Sequence, residues 1–323
     1  MSQQMDTEVE QLDASGQSWA LRFAGNDGRT GWQWLHFDLV HAQARQSIEA
    51  DPALPAFARS VLTGTDESPR IVTNGQAVAG VLPAYARTGD AEEFDITCWH
   101  FAMTPDYLVT ARRRATRTLV NVWQAVQTGL APGSPTALID HCIAEFAREV
   151  RARLATLATE LDPLEDLLID RRDAGQLTNL GGRLGAVRRE AARLKRVLTP
   201  LVRAVHEDSD DFPDWAGFSE HAVAHRLLHG AVDDIAALYD RARSLQDELT
   251  TRLTEETNRR LYLVSVVTAL LLPATFVTGF FGMNTGGLLW SGDEMPHGTV
   301  YAATLCGAAV ASALLVLRWK RLL

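Results

Sequence analysis

Leu261-Tyr-Leu-Val-Ser-Val-Val-Thr-Ala-Leu-Leu-Leu-Pro-Ala-Thr-Phe-Val-Thr-Gly-Phe-Phe281, followed at once by Gly282-Met283-Asn284, decides the architecture of this chain. The run carries no charged residue, and at about 1.5 Å per residue a helix over it spans roughly 31 Å, the thickness of a bilayer core. Thr299 to Leu317 is a second charge-free run, long enough for about 28 Å. Buried helices of soluble proteins are rarely so long or so free of charge, so the two runs are read as a membrane hairpin. Arg259 and Arg260 precede the first run, and Arg318, Lys320 and Arg321 follow the second. The connecting segment holds Asp293 and Glu294 but no cation. The bias of cationic flanks towards the cytoplasm therefore puts both termini inside a bacterial-type plasma (inner) membrane, the loop outside and the chain across it twice. Trp290 and Trp319 fall near the two interfaces. The backbone freedom of Gly282 and Gly286-Gly287 is expected to let the chain turn sharply after the first helix.

Outward from this hairpin, the chain has 323 residues and a formal net charge of -9. That is room for a sizeable domain outside the membrane, and the charge argues against nucleic acid as a partner. Cys98, Cys142 and Cys306 have no CxxC spacing, so neither a zinc ribbon nor a disulfide framework is indicated. Met1 to Gly16 is polar and acidic and does not read as a signal peptide. No nucleophile–base set, phosphate loop or dinucleotide fingerprint is present, so no enzymatic activity and no catalytic cofactor are expected.

Residues 1–133 read as a cytoplasmic α/β domain, an α/β/α sandwich. Strand patterns occur at Ser18 to Phe23, Gly31 to Asp38, Gln76 to Leu82, Phe94 to Phe101 and Asp106 to Thr110, with helices predicted over His41 to Ala50 and Pro55 to Leu62. Residues 134–217 hold two long amphipathic helices, Ser134 to Ala174 and Gln176 to Val205, expected as an antiparallel pair, and an acidic loop from Glu207 to Asp214. Residues 218–281 are predicted to form one helix of roughly 90–95 Å that runs into the membrane over 261–281. Its apolar stripe (Ile235, Leu238, Leu245, Leu249, Leu253) needs a partner, and packing between copies of the chain would supply one. Residues 282–298 form the outer loop and 299–318 the second membrane helix.

On the first membrane helix Asn258, Leu261, Ser265, Thr268, Leu272, Thr275 and Gly279 recur at 3.5-residue spacing, with Asn284 just past the end. Small hydroxyl residues on one stripe either let helices approach closely or line a watery path. Two helices cannot enclose a pore, so the second reading requires a symmetric oligomer with this stripe innermost. Leu261 and Leu272 would then be apolar constrictions.

Gly282-Met283-Asn284, following Pro273-Ala-Thr-Phe-Val-Thr-Gly279, resembles the CorA superfamily of divalent-cation channels and transporters. Asn284-Thr-Gly-Gly-Leu-Leu-Trp290 is similar to its zinc-transporting ZntB branch, with Leu289 where that branch has proline. In the magnesium branch a glutamate follows Met-Pro; here Met295-Pro296 is followed by His297. Leu164 to Arg171 and Leu184 to Arg196 are similar to the superfamily's helical domain. The resemblance implies a homopentameric funnel in contact with membrane lipid, a central pore lined by the first membrane helix, and an outer ring of Asn284 amides. It implies transport of a divalent cation, zinc first, with proton coupling in the zinc branch; a magnesium, cobalt or nickel channel of the same build is the alternative. A reading from a different class is a membrane-anchored cytosolic scaffold or metal sensor.

His221, His225 and His229 recur at four-residue spacing and share one helix face, a pattern that can chelate zinc or form a solvated face. Asp293, Glu294 and His297 would ring the pore mouth in a pentamer and concentrate cations there, or form a plain solvated loop. Cys98 and His100 flank Trp99 on a strand and read as a core pair. His141 and Cys142 are adjacent on a helix and point apart.

Overall fold

The computed structural model describes residues 9–11, 18–23, 31–87, 95–169, 174–206, 212–216, 222–282 and 297–319. The chain divides into two compact units, Met1–Arg171 with Asn179–Gln246, and Arg172–Thr178 with Asp247–Leu323.

The first unit is built on a seven-stranded sheet: β1 (Val9–Gln11), β2 (Trp19–Phe23), β3 (Trp32–Asp38), β4 (Arg70–Thr73), β5 (Val78–Tyr85), β6 (Ile96–Thr104) and β7 (Tyr107–Arg112), in the order β1-β2-β3-β7-β6-β5-β4. Neighbours are antiparallel except β3 and β7, which pair in parallel from Gln33↔Tyr107 to Asp38↔Arg112. A parallel pair needs a crossover, and the segment between β3 and β7 carries α1 (Ala42–Ala50) and α2 (Ala56–Thr63). These helices cover one face, where Ala44, Ile48, Leu54, Ala58 and Leu62 pack on Phe37, Ala79, Ala102, Val109 and Ala111. The opposite face meets α3 (Arg117–Gln127) and α4 (Pro135–Ile169). There Trp123 lies 4.0 Å from Trp19, which meets Trp34 edge-on at 4.6 Å (ring centroids). Every residue of β5 is buried, as expected for a strand covered on both sides. At Gly80 a Cβ would stand 2.5 Å from the Arg70 carbonyl and 2.6 Å from the Phe101 ring, so only glycine fits.

The expected α/β/α layering is present, and each expected strand and helix of the first third forms. Three further elements appear that the periodicity did not mark: β1, β4 and α3. The two strands span three and four residues, too few for alternation to register. The buried apolar residues of α3, Leu119, Val122 and Val126, follow three-four spacing but occupy only about three turns.

The helical pair forms as α4 and α5 (Ala174–His206). Arg153 of α4 donates two hydrogen bonds to the Glu190 carboxylate of α5, at 2.6 and 2.7 Å. The long helix α6 runs without a break over Ala222–Phe281, 60 residues. Arg151 of α4 pairs with Asp234 of α6 at 3.2 Å, and Arg241 of α6 with Asp162 at 2.9 Å and with Glu165. One expectation is corrected here. Ile235, Leu238, Leu245 and Leu249 need no second copy of the chain, because they are already buried within a single chain at 7 % exposure or less. In the first unit α4 and α5 carry matching apolar rows, Leu154, Leu157, Leu161 and Leu164 on one and Leu184, Val187, Leu194 and Leu198 on the other, all buried.

The second unit contains the rest of α6 and α7 (Gly298–Trp319). Both helices are long and apolar enough to cross a membrane, and almost none of the most apolar stretch of either is buried. Among described large apolar side chains that stay exposed, all but Val40, Val72 and Val223 fall between Leu261 and Trp319. Exposed apolar surface on that scale is covered by lipid or by other copies of the chain.

Candidate ion path and metal ligands

Asn258, Leu261, Ser265, Thr268, Leu272, Thr275 and Gly279 all lie on α6 and are all exposed. At about 100° per residue they form a stripe that drifts by roughly 20° per heptad. The half-buried positions of the same span, Val266, Leu270, Pro273, Ala274, Val277 and Phe281, cluster about half a turn away from that stripe. On α7 the half-buried positions are Ala302, Cys306, Ala309, Val310, Ala313 and Leu317. The two faces meet where the Cys306 thiol donates to the Ala274 carbonyl at 3.9 Å. Small side chains at such a contact let the backbones of membrane helices approach. The hydroxyl stripe is therefore not what holds α7, and it faces away from the hairpin contact. This contact face is what sequence reasoning missed; the recurrence of Ala302, Cys306, Ala309 and Ala313 at four- and three-residue steps is the signal that marks it.

The hydroxyls of the stripe are oriented by the helix itself. Ser265 Oγ donates to the Leu261 carbonyl at 2.8 Å, Thr268 Oγ1 to Val264 at 2.8 Å and Thr275 Oγ1 to Leu271 at 2.9 Å. Each hydroxyl has one donor and two acceptor lone pairs. With the donor spent on the backbone, what the stripe presents outward is acceptor oxygen. That polarity suits the donor hydrogens of water bound to a cation and is poorly suited to an anion.

Gly282 closes α6, its N–H donating to the Thr278 carbonyl at 2.9 Å. Its φ is not in the left-handed region, which holds Gly75 and Gly129; instead a Cβ would stand 3.0 Å from the Thr278 carbonyl oxygen. Met283, Asn284, Asp293, Glu294 and His221 lie outside the described residues. His297 is exposed, and its carbonyl accepts the N–H groups of Val300 and Tyr301 at 3.0 and 3.1 Å, starting α7.

His225 and His229 come together on α6, with Nε2 atoms 3.2 Å apart and ring centroids 4.3 Å apart. The other candidates are tied to backbone. His100 Nδ1 lies 2.7 Å from the Val61 carbonyl, and the Cys98 thiol donates to the Glu67 carbonyl at 3.0 Å. Burial, with the charges of Glu67 and Asp66 behind it, pushes the Cys98 thiol up to about 12, so it stays protonated and is a poor metal ligand. Burial raises the Cys142 thiol as well, and the neighbouring His141 Nδ1 meets the Ala137 carbonyl at 2.8 Å. Among the described residues no group of three or more His, Cys, Asp or Glu side chains has the geometry to hold a metal ion.

A fold that joins an α/β/α layer to a long helix and an exposed apolar hairpin defines a membrane protein. The family model described as CorA-like Mg2+ transporter protein matches residues 29–321, and the chain belongs to that family of transporters. It is 26 % identical over 285 residues to the zinc transport protein ZntB of Yersinia pseudotuberculosis serotype O:1b (strain IP 31758), covering 86 % of this chain and 84 % of that one. It is 25 % identical over 284 residues to the divalent cation transporter CmaX of Pseudomonas aeruginosa, covering 85 % and 82 %. The structure of the full-length CmaX protein superposes with a TM-score of 0.71 at 23 % identity, over 90 % of this chain and 89 % of that one, and shares its fold.

Proposed function

We propose that the chain transports divalent metal cations, zinc first, across a bacterial inner membrane, through a path lined by α6 from each of five copies. The observation that carries this reading is the acceptor-only hydroxyl stripe turned away from α7. An anchor needs no such face, which argues against a scaffold or sensor held by its hairpin alone. In the assembly Asn258 stands at the inner end of the path, Leu261 and Leu272 are apolar constrictions, and Ser265, Thr268, Thr275 and Gly279 form the rings between and beyond them. The Gly282-Met283-Asn284 motif sets the outer end, where a ring of neutral amides holds the hydration shell of an ion weakly enough for it to leave. Asp293, Glu294 and His297 raise the local cation concentration at the mouth. With both termini cytoplasmic, the membrane potential drives an entering divalent ion by about 4.6 kcal/mol per 100 mV.

Similarity to proteins named for zinc and for divalent-cation transport supports the cargo class. A second reading, a magnesium, cobalt or nickel channel, is favoured by the family description itself, and a hydroxyl path that contacts only hydration water also suits magnesium, which gives up its waters reluctantly. Uptake of zinc, magnesium and cobalt into proteoliposomes, each with and without a pH gradient, decides among these. Zinc uptake that responds to the gradient is the expected outcome. Magnesium uptake indifferent to it would establish the channel, and absence of flux for every ion would establish the scaffold.

A further inference from the structure

We infer that His225 and His229 form a zinc-binding site on the first half of α6, separate from the ion path. Both side chains lie in the first unit; His225 is half-buried and His229 exposed. Four-residue spacing stacks them on one helix face, and the helix delivers the two Nε2 atoms to 3.2 Å. Zinc–imidazole bonds are about 2.0–2.1 Å long. A single ion bonded to both nitrogens at that separation would subtend an angle of about 99–106°, close to the tetrahedral value that zinc prefers. Without metal, the same separation is met by one imidazole N–H pointing at the other's lone pair. When zinc binds, the proton of the donor ring moves from Nε2 to Nδ1, so both Nε2 atoms become ligands and each neutral ring carries its single proton on Nδ1. His229 is exposed, and Asp233, exposed and four residues further along, continues the same face with a carboxylate.

The donor set decides the class of ion. Imidazole nitrogen suits zinc, copper and nickel, whereas magnesium and calcium are held by oxygen. The hydroxyls of the α6 stripe make no such distinction, because they present only oxygen. The histidine pair therefore reads the identity of the metal at a place where the ion path does not. It does so whether or not zinc is the ion transported.

The test is acylation of histidines by diethyl pyrocarbonate on the full chain in detergent, read at each histidine by peptide mass spectrometry. Zinc alone and magnesium alone are the probes. Zinc is expected to slow modification of His225 and His229 by at least about tenfold, the scale on which losing even an outer-shell partner alters a metal site. The exposed His41 should be unaffected. Magnesium should protect neither residue, and in a His229→Ala variant zinc should no longer protect His225. Equal reactivity with and without zinc overturns the site, as does equal protection by magnesium or protection of His225 that survives His229→Ala. Failure of zinc uptake with protection intact would overturn the transport reading and leave the site standing.

Discussion

The thiol of Cys306 on α7 meets the carbonyl of Ala274 on α6 at 3.9 Å, and Thr275, next in sequence, lies about 100° further round the helix with its hydroxyl bonded back to Leu271. Adjacent residues thus serve two faces, one closing the hairpin and one presenting acceptor oxygen. The faces should separate under substitution. Thr268→Val and Thr275→Val keep the shape but remove the acceptors, and are expected to lower divalent-cation uptake severalfold at unchanged thermal stability in detergent. Ala274→Leu overpacks the contact with α7 and should cost about 1–3 kcal/mol of stability. If the valine variants transport normally, the stripe is packing surface and not a path.

His36 sets an acid limit on the first unit. Burial, with the Arg112 charge second, lowers its pKa from 6.5 to about 3, while its Nδ1 lies 2.9 Å from Thr110 Oγ1. Because the folded-state pKa lies below the unfolded one, the unfolded chain takes up the proton first. The contribution is fully present above pH 6.5 and is lost progressively as the pH falls towards 3. At pH 5 the loss amounts to about 2 kcal/mol, from 1.36 kcal/mol per pH unit. Thermal melts at pH 7 and pH 5 should show a smaller acid shift for His36→Gln than for the unaltered chain. Identical shifts would show that His36 charges without cost.

Ile235 tests how the long helix is held. It is 0 % exposed within one chain, so Ile235→Ala should cost about 2–5 kcal/mol through the cavity it leaves. If the burial is within the chain, that loss is independent of protein concentration. If it came from packing between copies, the unfolding midpoint would move on dilution. The ion pairs around it give a finer gradation. Arg153 and Glu190, with side chains 13 % and 28 % exposed, join by two charge-assisted hydrogen bonds, and Arg153→Met is expected to cost roughly 1.5–3 kcal/mol. Arg241, 42 % exposed, should cost less than about 1 kcal/mol when replaced by methionine.

What the sequence made legible follows the strength of its periodicities. Leu261 to Phe281 and Thr299 to Leu317 are long enough to average over local exceptions, and both lie within helices, α6 and α7. Trp32–Asp38 and Ile96–Thr104 are strands long enough to show a pattern, whereas Val9–Gln11 is defined only by its pairing with Trp19 to Leu21. The need of Ile235 and Leu245 for a partner was legible, but not which partner, because an apolar stripe does not say whether its complement lies in the same chain. Among site residues the stripe could be read directly from spacing. The half-turn offset between the stripe and the face that meets α7 could not, since the sequence of α6 alone does not say where α7 lies. His225 and His229 were visible as a pair; the 3.2 Å between their nitrogens was set by rotamers that no spacing rule fixes.

Two glycines near the end of α6 give opposed expectations. At Gly282 a Cβ would stand 3.0 Å from the Thr278 carbonyl, whereas at Gly279 it would meet nothing within 4 Å. Gly282→Ala therefore requires the last helical turn to give by a few tenths of an ångström. It should reduce uptake and gain no stability. Gly279→Ala, in open space in a single chain, should stabilise the helix by about 0.5–1 kcal/mol. Gly279 nevertheless belongs to the stripe, and in the proposed five-copy path each added methyl at this position would narrow the bore. The expected result for Gly279→Ala is a higher melting temperature with lower cation uptake, measured on the same detergent preparation before and after reconstitution. A variant that is both more stable and fully active would place Gly279 against lipid, and with it the rest of the stripe.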